Sequence, residues 1–203
     1  MPAKDPLRFD RTDTQLTKLI AVGVTAVAAI VTIVNPIIDW ATGKPLQAYV
    51  EGVDQGAVEG AREGVTLQHG GGLMAEFADA SAGLWLASMA PGLLFVCLMG
   101  VVVWLLWRLL DDVQEGRPFT LTNVARMRGI AMIIIVGSLL PFFVTGLVNG
   151  LMTTNAVGDS SVFFVNESRA ADLLLPGVGF LIAALAEGFK HGVQLEDDVE
   201  GLV

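Results

Sequence analysis

The sequence Gly116-Arg117-Pro118-Phe119-Thr120-Leu121-Thr122-Asn123 is a short polar stretch between two long apolar runs, and it decides how the chain folds. Proline is tolerated in the first turn of a helix, which suits Pro118. The hydroxyl of Thr120 or Thr122 can accept a hydrogen bond from a backbone N–H group that lacks a partner at a helix start. The stretch therefore predicts a polar connection that ends in the start of a helix.

Apolar runs on both sides of this connection indicate a membrane protein. The chain is 53% hydrophobic and only 16% charged, and residues 19–38, 80–107 and 129–158 contain no charged side chain. A helix needs about 20 apolar residues to cross the hydrocarbon core of a bilayer. A shorter uncharged run at 173–186 reaches the length of a fourth span when the residues next to it are included. We therefore expect an all-α polytopic fold with four transmembrane helices, in one membrane domain over residues 1–203.

We place the four spans at about residues 17–39, 82–110, 127–153 and 170–191. An outer loop over 40–81, a cytoplasmic loop over 111–126 and an acidic cytoplasmic tail over 192–203 complete the chain. The first span has an apolar part of about 20 residues, against the 7–15 typical of a cleaved signal peptide. We therefore expect it to be retained.

The orientation follows from lysine and arginine, because these residues set membrane topology whereas Asp and Glu contribute little. The net charge of −9 is thus less informative than where the cations lie. Nine of the twelve Lys and Arg residues fall in the segments 1–18, 108–128 and 190–203. This distribution predicts a multi-pass membrane protein with the N-terminus and the C-terminus in the cytoplasm.

Glycine recurs at four-residue spacing in two places. The outer loop carries Gly52, Gly56, Gly60 and Gly64, and the third span carries Gly146 and Gly150. Small residues at this spacing allow two helices to approach closely. Each glycine inside a helix costs about 1 kcal/mol relative to alanine, so an isolated helix over 52–64 would be unstable in water. Either this face packs against a neighbouring backbone, in the same chain or a second copy, or the segment is a loose loop.

Few residues point to catalysis. We find no nucleophile with a partner base, no pair of carboxylates within a span and no glycine-rich phosphate loop, so no catalytic residue is assigned. His69 has no second ligand at metal-binding spacing, so no metal site and no cofactor are predicted. A basic patch with interleaved aromatics is absent, which argues against direct nucleic-acid binding. Glu187 is expected to form an interfacial ion pair with Lys190 and His191, at i+3 and i+4.

The central polar stretch has two interpretations. Helix capping and inside-positive charge explain most of it as structure. It also forms a candidate docking surface for a cytoplasmic partner, made of Pro118, Phe119, Asn123, Arg126 and Arg128.

Each predicted span contains a proline, and these prolines support an alternative hypothesis for the function. Pro36, Pro91, Pro141 and Pro176 all fall in or beyond the outer half of their helices in the predicted orientation. Proline removes a helical hydrogen bond and usually kinks a membrane helix. Four such kinks would open an outward-facing cavity, as in a small transporter or channel.

Two motifs resemble those of a known family. Gly116-x-Pro118-Phe119 followed by Asn123 and Arg126-Met127-Arg128-x-Ile130 is similar to the central motif of the bacterial membrane family called domain of unknown function 2975. Residues 185–192 and the acidic stretch 195–198 are similar as well. The resemblance implies four spans and no known activity. Members of this family are often encoded beside a small helix-turn-helix regulator, which implies a regulatory partner. We therefore favour a regulatory or interaction protein, with a second copy of the chain as a further partner.

Overall fold

The computed structural model describes residues 11–50, 63–69, 73–117, 119–158 and 174–200. Its helices are α1 (Arg11–Ala29), a π-helix (Ile30–Val34), α2 (Asn35–Ala41), α3 (Ala82–Gln114), α4 (Leu121–Val157) and α5 (Leu174–Glu200). Its strands are β1 (Leu46–Val50), β2 (Val65–His69) and β3 (Leu73–Phe77). The fold is largely helical, as the apolar runs predict.

Three helical stretches among the described residues are long and apolar enough to cross a membrane. They are Thr12–Ala41, Ala82–Gln114 and Leu121–Val157, of 30, 33 and 37 residues. Large apolar side chains cover their surfaces, including Leu19, Leu86 and Phe143. A water-soluble protein rarely exposes so much contiguous apolar area, so these surfaces indicate contact with lipid.

The segment between α2 and α3 holds a β-sheet, so the prediction of an all-α fold is wrong for this segment. The three strands are antiparallel in the order β1–β3–β2, with Phe77 of the central strand opposite Leu46 on one side and Val65 on the other. Burial alternates along β1, where Leu46 and Val50 are buried while Gln47 is exposed. This period of two is what a sheet with one covered face requires.

Gly64 does not belong to a helical glycine face. It lies in a turn directly before β2 and has φ +84°, a left-handed backbone conformation that glycine adopts without steric penalty. The next residue, Val65, is the first residue of β2. The helical interpretation of the repeat therefore fails at its last position, while Gly52, Gly56 and Gly60 lie outside the described residues.

The chain divides into two compact units, and the first comprises residues 28–96 and 137–172. Its core joins the buried face of the sheet to side chains of α3 and α4. The buried members are Leu46, Val50, Ala75, Phe77, Trp85, Met89, Met152 and Ala156. The indole of Trp40 stacks on that of Trp85, with ring centroids 6.3 Å apart. The sheet is thus a packed part of this unit.

The π-helix in this unit has a cause in the sequence. Pro36 has no N–H group, so the Thr32 carbonyl has no helical donor at the usual i+4 position. Asn35 instead donates its N–H to Ile30, five residues earlier, which produces the wider turn. Gly92 of α3 packs directly against this turn, because a Cβ atom at position 92 would lie only 2.5 Å from Cβ of Thr32.

The second unit comprises residues 1–27, 97–136 and 173–203. In this unit α5 packs closely against α4 at Gly179: a Cβ atom there would lie 3.1 Å from the carbonyl oxygen of Ala131 and 2.6 Å from Cγ1 of Ile135. Ala131 and Ala186 are fully buried. Small side chains therefore bring the two helices together here.

Candidate functional site: the polar end of the helices

The connection between α3 and α4 is held by one buried amide. Only 1% of Asn123 is exposed. Its Nδ2 donates to the carbonyl oxygen of Arg117 at 3.1 Å, and its Oδ1 accepts from Nη1 of Arg126 at 2.8 Å. Thr120 caps the start of α4, since its Oγ1 accepts from the Asn123 N–H at 3.1 Å. Asn123 therefore braces the connection and does not lie on a docking surface, which corrects that part of the prediction.

Arg126 is engaged inside the molecule as well. Its Nη1 lies 2.7 Å from Oδ2 of Asp112 and donates to the carbonyl oxygen of Arg108 at 3.1 Å. Its side chain is 19% exposed. The guanidinium thus ties the end of α3 to the first turns of α4, and little of it faces outward.

Salt bridges link four helices within this unit, and we call them the ion-pair cluster. The cluster consists of Lys18–Asp111 at 2.5 Å, Arg126–Asp112 at 2.7 Å, Arg128–Glu187, and Lys190–Glu187 at 3.0 Å. The first pair joins α1 to α3, the second joins α3 to α4, and the third joins α4 to α5. The neighbouring acids Asp111 and Asp112 therefore form salt bridges to two different helices, α1 and α4.

The environment of Glu187 differs from the predicted one in two respects. Its carboxylate contacts Lys190, but it also contacts Arg128 on α4, a partner that helix spacing within α5 cannot indicate. Nδ1 of His191 lies 2.8 Å from the backbone oxygen of Glu187 and not beside the carboxylate. Because Glu187 and Arg128 are each nearly half exposed, this part of the cluster adds little stability and mainly sets position.

Phe119 is the exposed apolar residue of the predicted docking surface. It is 47% exposed and stacks on Phe189 of α5, with ring centroids 5.5 Å apart. The Phe119 ring also packs near Gly192, where an added Cβ atom would lie 3.5 Å from the ring. Leu121, two residues after Phe119, is 65% exposed. We call Phe119, Leu121 and Phe189 the Phe119 surface. Pro118 lies outside the described residues.

A groove of about 390 Å³ also lies in this unit, between α1 and α3. Its lining residues are Gln15, Lys18, Leu19, Val22, Trp107 and Gln114. The Lys18 ammonium lies 4.9 Å from the centroid of the Trp107 ring, and its side chain is only 12% exposed. An aromatic face and a carboxylate thus hold this cation at the groove wall.

The other unit contains a cleft of about 450 Å³. It is lined by Pro36, Asp39, Lys44, Pro45, Leu46, Gln47, Trp85 and Ser88. Nζ of Lys44 lies 2.6 Å from Oδ1 of Asp39, so the charged groups of the cleft pair with each other. The volume falls within the range of about 300–1,000 Å³ that small-molecule sites occupy.

The remaining predicted positions can be placed briefly. Gly146 and Gly150 are buried in α4, and their role in helix packing stays a prediction. The backbone of His69 ends β2. Among the described residues, no group of three or more His, Cys, Asp or Glu side chains is placed to hold a metal ion. No buried side-chain nitrogen or oxygen in that part of the chain lacks a hydrogen-bond partner. The described polar groups therefore form a satisfied structural network.

Comparison with known proteins yields one match. The family model described as "Protein of unknown function (DUF2975)" matches residues 70–202, which include the α3–α4 connection, the ion-pair residues of α3, α4 and α5, and Phe119. The searches of curated proteins and of solved structures found no match. Since the family model covers well over half of the sequence, the chain belongs to the DUF2975 family of proteins of unknown function.

Proposed function

We propose that this chain is a four-span protein of the bacterial plasma membrane with both termini in the cytoplasm. Its function is regulatory, and the Phe119 surface binds a cytoplasmic partner. One observation supports this most directly: the polar residues beside Phe119 bond to each other, while Phe119 itself is 47% exposed. An exposed aromatic on a braced scaffold is suited to binding another protein, since aromatic anchors are common in interfaces.

The cation distribution supports the orientation. Among the described residues, every Lys and Arg except Lys44 lies in the unit that contains the α3–α4 connection. Cytoplasmic segments of membrane proteins carry such an excess of positive charge. We therefore assign this unit to the cytoplasmic side.

The length of α5 supports the fourth span. Its 27 residues correspond to about 40 Å of helix, against about 30 Å of hydrocarbon core. Glu187 lies 13 residues, more than three turns, before the end of the described helix. It is beside Arg128 and Lys190, so its charge is offset at the membrane edge.

The partner that fits best is a small cytoplasmic helix-turn-helix regulator, as gene neighbourhood in the family suggests. Sequestering such a regulator at the membrane would control its access to DNA without any contact between this chain and nucleic acid. We propose neither a catalytic step nor a cofactor for this chain.

Co-purification from native membranes tests the proposal. The tagged full chain is expected to retain the regulator, and Phe119→Ala is expected to lose it while inserting normally. Phe180→Ala is the matched control, because Phe180 is 62% exposed on α5 but lies away from the connection. Equal recovery of the regulator with both variants would refute the Phe119 surface. Recovery of a second copy of this chain in place of a regulator would make the function one of self-association.

The alternative is a small transporter or channel whose cavity faces outward. The cleft beside Pro36 and Trp85 supports it by its size. Pro176 argues less for a kink than expected, since it lies in the first turn of α5, where proline is tolerated, whereas Pro36 lies inside the continuous helical stretch Thr12–Ala41. Solute flux into proteoliposomes that depends on the protein would favour this alternative, and its absence would favour the regulatory function.

A further inference from the structure

Arg108 differs from the other cations in the described part of the chain. Six described cations contact a carboxylate: Lys18, Lys44, Arg117, Arg126, Arg128 and Lys190. Within these same described residues, Arg108 has no carboxylate in ion-pair range. Its guanidinium is exposed and lies 5.7 Å from the centroid of the Trp104 ring. An indole thus positions this charge without neutralising it.

The position of Arg108 along α3 matches the level of lipid headgroups. The uncharged run ends at Trp107, Arg108 follows, and Asp111 is the first acid. Trp104 and Trp107 are 56% and 44% exposed, which is typical of indoles at the boundary between hydrocarbon and water. Residues three and four apart share a helix face, so both indoles, Arg108 and Asp111 lie on one side of α3.

Trp107 also lines the groove between α1 and α3, whereas Trp104 and Arg108 are not among the lining residues of that groove. In the other direction along α3, towards the apolar run, Val101 is 44% exposed on the helix face of Trp104 and Arg108. This face therefore carries a cation at one end and an exposed apolar surface next to it. The cation nearest the groove wall, Lys18, is already paired with Asp111, so the unneutralised charge of this face is that of Arg108.

We propose that Arg108 and Trp104 bind the phosphate of one anionic phospholipid, with an acyl chain along the exposed apolar face of α3 at Val101. A guanidinium donates two parallel N–H bonds to a phosphate and is the preferred side chain for this geometry. The site complements an anionic headgroup in charge and continues into a lipid-facing apolar surface. This lipid site is independent of the proposed regulatory partner.

Native mass spectrometry of the full chain in detergent provides the test, with phosphatidylglycerol and phosphatidylcholine of identical acyl chains as probes. The wild-type chain is expected to retain one phosphatidylglycerol in preference to phosphatidylcholine. Arg108→Gln is expected to weaken phosphatidylglycerol binding about tenfold, as loss of charge-assisted hydrogen bonds implies, and thereby to remove most of the preference over phosphatidylcholine, in which the choline cation offsets the charge of the phosphate. Arg117→Gln is the matched control: it removes the same charge from an exposed arginine that Glu115 already neutralises.

A second variant separates the site from general surface charge. Trp104→Leu retains Arg108 but removes the ring that positions it, and we expect about threefold weaker phosphatidylglycerol binding. Equal effects of Arg108→Gln and Arg117→Gln would overturn the proposal, as would a wild-type chain without preference between the two lipids. Displacement of the lipid by soluble glycerol phosphate at equal concentration would also overturn it, because the acyl chain would then contribute nothing.

Discussion

Replacing Gly92 by alanine tests how closely α3 packs against the π-helix. In the wild-type chain, a Cβ atom at this position would lie 2.5 Å from Cβ of Thr32, 2.9 Å from its Oγ1 and 3.1 Å from its backbone oxygen. Cβ of Thr32 is fixed by the backbone, so a rotamer change cannot relieve the closest of these contacts. The π-helix and α3 must therefore move apart for alanine to fit.

The magnitude follows from two opposing terms. Overpacking a close contact costs about 1–3 kcal/mol. Alanine also favours a helix interior over glycine by about 1 kcal/mol, which offsets part of this loss. Gly100 on the same helix has no atom within 4 Å of its Cβ position, so Gly100→Ala carries the second term alone. The difference between the two variants isolates the overpacking, and we expect Gly92→Ala to be the less stable by about 1–3 kcal/mol.

Unfolding by SDS in mixed micelles, followed by tryptophan fluorescence, measures this difference. The stacked indoles of Trp40 and Trp85 lie in the same unit and report its opening. Equal midpoints for Gly92→Ala and Gly100→Ala would refute the close approach of α3 to Thr32. A lower midpoint for Gly92→Ala than for Gly100→Ala, without loss of membrane insertion, is the expected result.

Three further changes have defined outcomes. Asn123→Ala is expected to destabilise the chain by about 1–3 kcal/mol, because it removes the amide donor to the Arg117 carbonyl and one of the acceptors of the Arg126 guanidinium, whereas Thr122→Ala on the exposed side of the same turn is expected to change stability little; thermal unfolding in detergent compares the two. Gly179→Ala is expected to separate α5 from α4 and lower the unfolding midpoint, while Gly177→Ala, with open space at its Cβ position, leaves the midpoint unchanged or raises it. Trp85→Ala is expected to cost about 3–5 kcal/mol, because the indole is 4% exposed in the core beneath the sheet, and a loss below 1 kcal/mol by SDS titration would contradict that packing.

The helices were predictable because their signal is local. Uncharged runs of about 20 residues determine a span without knowledge of any partner. α4 begins at Leu121, and Thr120 caps it, as the polar stretch predicts. The π-helix was not predicted, although Pro36 removes the hydrogen bond whose loss explains it.

The sheet was missed for a physical reason. Each strand has only five residues, and β1 pairs with β3 across more than 20 intervening positions. The alternation of Leu46, Ala48 and Val50 is too short to outweigh the conspicuous glycine spacing that follows it. The alternation identifies a strand only once α3 and α4 are known to cover one face of the sheet with apolar side chains.

The position of the candidate site was predictable from the sequence, but its contacts between distant residues were not. The sequence places Arg126, Arg128 and Glu187 near a membrane boundary, and spacing within α5 indicates the contact of Glu187 with Lys190. The contact of Glu187 with Arg128, 59 positions away, depends on helix packing. The inward orientation of Asn123 likewise depends on where the carbonyl of Arg117 lies after the turn.

Cysteine accessibility in intact cells tests the central claim most directly: that this chain crosses a membrane with the α3–α4 connection inside. In a Cys97→Ala background, Glu115→Cys and Asp79→Cys place one thiol in the connection and one in the turn before α3, both exposed. An impermeant maleimide is expected to label position 79 in intact cells and position 115 only after permeabilisation. Labelling of position 115 from outside intact cells would contradict the proposed topology.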